Sequence, residues 1–218
     1  MSPRASAWAA RLIASGVAGT MGMAPFRLLL RRGQVRATGT VLSMTTLLLT
    51  HPACLLHDTG YGHPERADRM RAIADALSAP VFKTLKREEA PRAELAAIER
   101  LHPKAYVEMV RASIPAQGYN MLDPDTVVSP GSFEAALRAA GACIEAVDQV
   151  ATGKADNAFC AVRPPGHHAE RSRAMGFCLF NNVAIAALHA RDTLGAMRGT
   201  GMQRGDGDIV EQAKAHRP

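Results

Sequence analysis

Apolar and polar positions alternate between two kinds of pattern along this chain. Residues 45–50 form a short run of Thr and Leu, and residues 51–64 are dense in His, Gly and Pro, so a strand followed by a loop is predicted. Over residues 64–77, Ala67, Met70, Ala74 and Leu77 recur at helical spacing. Pro64 opens the stretch, and Glu65 and Asp68 lie where a helix dipole favours acids, so an amphipathic helix is expected. A second strand is predicted at residues 81–85, short helices at 92–101 and 103–113, and a long loop at 114–130. Ser132 is placed to cap a helix whose Phe133, Leu137, Ala140, Ile144 and Val147 share a face and which Gly153 ends. Residues 157–162 form a compact apolar segment between turn signals, as in a buried parallel strand, and residues 182–194 are helical again.

This order of strand, helix, strand, loop and helix predicts an α/β fold, an open, mostly parallel sheet with helices on both faces. The next strand does not appear. Gly195, Gly199, Gly201, Gly205 and Gly207 crowd the end of the chain without a β-branched run, so the sheet is expected to be incomplete on its C-terminal side.

Composition supports a folded chain, with 47% apolar and 21% charged residues over 218 positions. The net charge of +6 suggests a nucleic-acid or membrane partner until it is located. Six arginines, Arg4, Arg11, Arg27, Arg31, Arg32 and Arg36, precede the first acidic residue, Asp58; removing these six from 26 basic residues leaves 20 against 20 acidic ones. The basicity thus belongs to residues 1–43, with no basic stripe interleaved with aromatics, and neither a nucleic-acid nor a membrane partner is expected. Residues 1–43 fit a disordered extension, translated upstream sequence before a start at Met44, a transit peptide, or a poor secretory signal around residues 12–24. No apolar run approaches the ~20 residues that span a bilayer. Cys54, Cys143, Cys160 and Cys178 are far apart and form no Cys-x-x-Cys pair, so reduced buried thiols and a cytoplasmic location are expected.

The chemistry concentrates in Arg163-Pro164-Pro165-Gly166-His167-His168-Ala169, with Met175-Gly176-Phe177-Cys178-Leu179-Phe180-Asn181-Asn182 closing the same loop. It leaves the carboxyl end of a predicted parallel strand, where open α/β sheets bind ligands. Adjacent imidazoles suit amide hydrolysis, since one can accept a proton from water while the other steadies developing charge or protonates the leaving amine. On the dipeptide alone, an exposed loop pair is the better reading.

The whole run resembles the signature of the histone deacetylase superfamily, which includes class II-type histone deacetylases, acetylpolyamine amidohydrolases and acetoin-utilisation proteins. His63-Pro64-Glu65-Arg66 and Arg69 are similar to the motif opening the first long loop of the class II-type branch, and the resemblance runs in order from about residue 45 to 194. It implies residues 44–194 as the N-terminal part of a deacetylase domain, between the extension 1–43 and a divergent tail 195–218. It also implies His167 and His168 as catalytic histidines. Phe177 would line the acyl-lysine tunnel, Gly176 would let the backbone approach the ligand, and Asp125 would bind the substrate backbone at the rim. Plain alternatives stand beside these. Phe177 fits ordinary core, Asp125 fits a turn residue with Asp123 close enough to compete, and Glu65 and Arg66 read as structural.

The family implies Zn2+, held by an Asp-x-His pair after the next strand and by a further Asp, with a Tyr beyond. Neither pattern follows Asn182. The acids there are Asp192, Asp206, Asp208 and Glu211, the histidines are His189 and His216, and the last tyrosine is Tyr119. Asp206 and Asp208 read as a solvated turn, and no metal ligand is assigned. The resemblance therefore implies a zinc-dependent deacetylase of acetylated lysine or a related amine, inactive as this chain alone. A non-catalytic binding or regulatory remnant is the alternative.

Overall fold

The computed structural model describes residues 44–195 and the backbone of residues 11–13. Its centre is a parallel sheet in the order β1-β6-β2-β3, formed by Arg11–Ile13 (β1), Asn157–Cys160 (β6), Thr46–Thr50 (β2) and Lys86–Glu89 (β3). Apart from β1, the expected extension 1–43 lies outside the described residues, as does the tail beyond Gly195.

β2 is buried on both faces, which is why its apolar residues run consecutively instead of alternating. Leu47 and Leu49 pack with Ala142, Cys143 and Ala146 of the long helix Ser132–Ala151 (α4), while Leu48 packs with Met70 and Ile73 of Asp68–Leu77 (α1). Helices therefore cover both faces, as the sequence predicts. α4 is itself sandwiched. Its opposite side, with Ala136, Leu137 and Ala140, meets Leu95–Glu99 (α2), Lys104–Ala112 (α3) and Asn182–Leu194 (α5) in a second core built around Ile98, Val107, Phe180 and Ile185. Gly141 lets α4 approach the chain at Pro91, because a Cβ there would lie 2.0 Å from the Pro91 carbonyl oxygen.

Several boundaries differ from the sequence reading. The strand expected at residues 81–85 is replaced by a 3-10 turn, Pro80–Phe82, with Val81 exposed, and β3 lies further on. The reason is its place at the sheet edge. Pairing with β2 fixes the strand, while its charged side chains alternate half-buried and exposed, and Lys86 Nζ donates to Gln149 Oε1 of α4 at 2.8 Å. Within the expected loop 114–130, Asn120–Asp123 (β4) and Thr126–Val128 (β5) form an antiparallel hairpin with an irregular register. α1 starts at Asp68 and not at Pro64, because Glu65 is drawn into the interior. Ser132 begins α4 without capping it; its Oγ instead accepts the Ser129 N–H at 2.7 Å and meets His57 Nδ1 at 2.7 Å.

Candidate active site

The loop carrying the paired histidines leaves the carboxyl end of β6 and returns as α5. Asn181 caps α5 by accepting the Ala184 N–H at 3.0 Å, while its Nδ2 donates to the Ala169 carbonyl at 2.9 Å. Asn182 Nδ2 donates to the Pro164 carbonyl at 3.3 Å. Gly166 sits so close that a Cβ would lie 2.5 Å from the Asn182 nitrogen. The start and end of the loop are thereby held together, and His167 and His168 project exposed between them, ring centroids 4.1 Å apart.

Opposite His168 is a two-residue turn. Met175 and Cys178 exchange backbone hydrogen bonds at 3.0 and 3.2 Å, and the residues between, Gly176 and Phe177, both have left-handed backbone (φ 58° and 68°). This is the I′-type hairpin geometry, free for glycine and costing about 1–2 kcal/mol for a side chain such as Phe. A Cβ on Gly176 would lie 2.7 Å from the His168 Cβ, so glycine is required twice over.

The hairpin β4–β5 steadies this turn. Asp125 Oδ1 accepts the Gly176 N–H at 3.0 Å, and Thr126 Oγ1 accepts the Phe177 N–H at 3.2 Å. His63 packs edge-on to Phe177, centroids 5.0 Å apart, and its Nε2 is 3.3 Å from the Asp125 carbonyl. His167, His168, Asp125, Gly176 and Phe177 thus occupy one site. Asp123 is engaged elsewhere, accepting from Arg173 Nη2 at 2.9 Å.

Two buried networks hold the site from behind. In the first, Arg163 and Glu65, each 3% exposed, form a two-point ion pair with one contact of 2.7 Å, and Arg163 Nη1 donates to the Cys54 carbonyl at 3.0 Å. His57 lies against Glu65 at 3.5 Å; burial and the Arg163 charge outweigh that carboxylate and hold its pKa at about 4. Glu65 is therefore an interior anchor and not a helix-start charge. In the second, fully buried His102 accepts the Asn181 N–H at Nε2 (3.0 Å), so its Nδ1 carries the proton donated to the Arg171 carbonyl (2.8 Å). Burial lowers its pKa to about 4. Tyr106 adds a bond from its hydroxyl to the Leu179 carbonyl at 2.6 Å. The sequence gives no sign of His57 or His102, since a single histidine before an apolar helix carries no mark of burial.

The family model for the histone deacetylase domain matches residues 63–198, which include every residue of this site. The chain belongs to the histone deacetylase family. It is 38% identical over 135 residues to the histone deacetylase-like amidohydrolase of Pseudomonas aeruginosa, covering 62% of this chain and 35% of that protein. Human polyamine deacetylase HDAC10 is 36% identical over 167 residues, 72% of this chain and 23% of that one. The crystal structure of the HDA15 HD domain matches with a TM-score of 0.65 and 34% identity, over 69% of this chain and 44% of that chain. The chain thus spans about a third or less of these two curated relatives.

Histone deacetylase family membership goes with a metal cofactor. Among the described residues no three His, Cys, Asp or Glu side chains gather to hold one, so the described residues do not fit a zinc centre by themselves. His189 lies on α5 with Nε2 2.7 Å from Asp148 of α4, tying two helices together. Asp206, Asp208 and His216 lie outside the described residues. The four cysteines are buried and free, and burial raises the Cys178 thiol to about 12, leaving it protonated and unsuited to nucleophilic attack. Among the described residues no helix is long and apolar enough to cross a membrane.

Proposed function

We propose that this chain is the histidine-bearing part of a zinc-dependent deacetylase that removes acetyl groups from lysine or a related amine, and that alone it does not turn over. The observation that carries this reading is the exposed His167–His168 pair beside the turn that Asp125 clamps, at the carboxyl end of a parallel strand. One neutral imidazole accepts a proton from the attacking water. An imidazolium then returns it to the amine as the C–N bond breaks, so the proton count balances. Phe177 supplies an apolar wall for the acyl-lysine stem and Gly176 a close backbone approach. Asp125 has only Oδ1 engaged among the described residues, which leaves Oδ2 to accept a substrate N–H.

Among the described residues no cluster of His, Cys, Asp or Glu could hold a carbonyl-polarising metal, and this favours a second reading, a non-catalytic binding or regulatory remnant. The division into an extension 1–43, a deacetylase part 44–194 and a divergent tail belongs to the same proposal. So does a cytoplasmic location, supported by the four free thiols, and a chain without a nucleic-acid or membrane partner. The test compares hydrolysis of acetyl-lysine peptide and acetylated polyamine by the 218-residue chain and by its fusion to the C-terminal part of the Pseudomonas relative. The chain alone should retain less than about 0.1 zinc per molecule after dialysis and show no chelator-sensitive rate. The fusion should gain both zinc and activity, and replacing His167 and His168 with Ala should remove most of the rate while zinc stays bound. Chelator-sensitive activity in the chain alone, or a fusion indifferent to the double substitution, overturns the reading.

A further inference from the structure

The loop at residues 58–63 lies alongside β5 as a ledge fastened at both ends. At one end His63 Nε2 meets the Asp125 carbonyl; at the other the Asp58 N–H donates to Ser129 Oγ at 2.9 Å. Asp125 and Ser129 are four residues apart, about 13 Å along extended chain. The His63 end is the rim of the site described above. The Asp58 end opens onto a separate cleft of about 410 Å³, lined by Leu56, Asp58, Tyr119, Ser129 and Pro130.

This cleft combines three features. Its walls are apolar and open to solvent, with Leu56 66% and Tyr119 55% exposed. Its charge is a single carboxylate. Asp58 accepts the Gly60 N–H at 3.0 Å and the Tyr119 hydroxyl at 2.7 Å, and these bonds hold its pKa below the usual carboxylate range. Among the described residues Asp58 has no ion-pair partner, and each oxygen, having accepted one bond, can accept another. An anionic acceptor beside a phenol face and aliphatic walls matches an ammonium on a methylene chain, through a charge-assisted hydrogen bond, cation–π attraction and apolar contact.

We propose that the Leu56–Asp58–Tyr119 cleft is a binding subsite for a free linear alkylammonium, placed so that an amine-bearing chain reaching from the rim can seat its distal ammonium there. Its place in substrate choice rests on the deacetylase reading; the binding itself does not.

The test uses the 218-residue chain and 1,5-diaminopentane as probe, followed by amide chemical shifts at 0.15 M salt, with Nα-acetyl-lysine methylamide as a peptide-like comparison. The expected result is saturable binding with the largest shifts at Gly118, Tyr119 and Gly131. Asp58→Asn keeps the shape and an acceptor for the Gly60 N–H, turns the Tyr119 contact into a donation from Nδ2 to the phenol oxygen, and removes the charge; it should weaken the diamine at least tenfold. Y119F should weaken it less. Equal affinity for D58N and the parent chain, shifts centred elsewhere, or tighter binding of the peptide-like probe overturns the proposal. Because no turnover is read, D58-dependent binding in an inactive fusion would sink only the deacetylase reading. Activity in the fusion without D58-dependent binding would sink only the subsite.

Discussion

Replacing His102 with Phe keeps most of the buried volume and removes both of its hydrogen bonds. The buried Asn181 N–H and the part-buried Arg171 carbonyl lose their partner, at about 1–3 kcal/mol each, so His102→Phe should cost about 2–6 kcal/mol at pH 7.5. The pH dependence gives a sharper test. Held at about 4 in the fold against an ordinary value of 6.5, His102 binds fewer protons folded than unfolded between those values. Stability therefore rises with pH across that window. It is fully present above 6.5 and is lost as the pH falls toward 4, because a protonated Nε2 would face the Asn181 N–H with a second N–H. By pH 5 the loss from His102 is about 2 kcal/mol, and His57, also held at about 4, adds a similar amount. Urea unfolding followed by circular dichroism should show the parent chain losing about 4 kcal/mol between pH 7.5 and 5, and H102F about half of that. Equal losses in the two proteins would refute the assignment of His102 as a buried neutral group.

Gly141→Ala should lower stability by about 3 kcal/mol or more, because its Cβ meets three backbone atoms, the Pro91 oxygen at 2.0 Å, the Ala93 nitrogen at 2.8 Å and the Pro91 carbonyl carbon at 2.9 Å, none of which can swing away. A thermal melt within a degree of the parent would show that α4 can move off that segment. Glu65→Gln leaves the Arg163 charge buried against a neutral partner and should cost about 3–5 kcal/mol, whereas the double change to Met at both positions should recover part of it; a double variant worse than E65Q would contradict this.

The elements legible in the sequence are those whose environment their own residues reveal. β2 and β6 lie between helix layers, and α4 between the sheet and the other helices, so apolar content marked them. α5 was expected at residues 182–194 and spans Asn182–Leu194, with Asn181 as its cap. β3 was missed because its strand character comes from pairing with β2, while Lys86, Arg87, Glu88 and Glu89 carry the polarity of an edge. β4 was missed for a related reason: Asn120 and Met121 are exposed and show no inward-facing alternation.

The site divides along the same line. His167, His168, Gly176 and Phe177 are close in sequence and readable as one run. Asp125, by contrast, meets Gly176 from 51 residues away, Glu65 meets Arg163 from 98 and His102 meets Asn181 from 79. These three distant contacts fix the turn, the entry and the exit of the histidine loop. Two of the groups are buried, and burial has no local signature: Glu65 looks like any acid before a helix, and His102 like any loop histidine. A run of residues can thus name the chemistry of a loop while its geometry is set by partners the run does not contain. Residues 163–182, moved without residues 57–65, 102 and 125–132, would keep their two imidazoles and lose the contacts that place them.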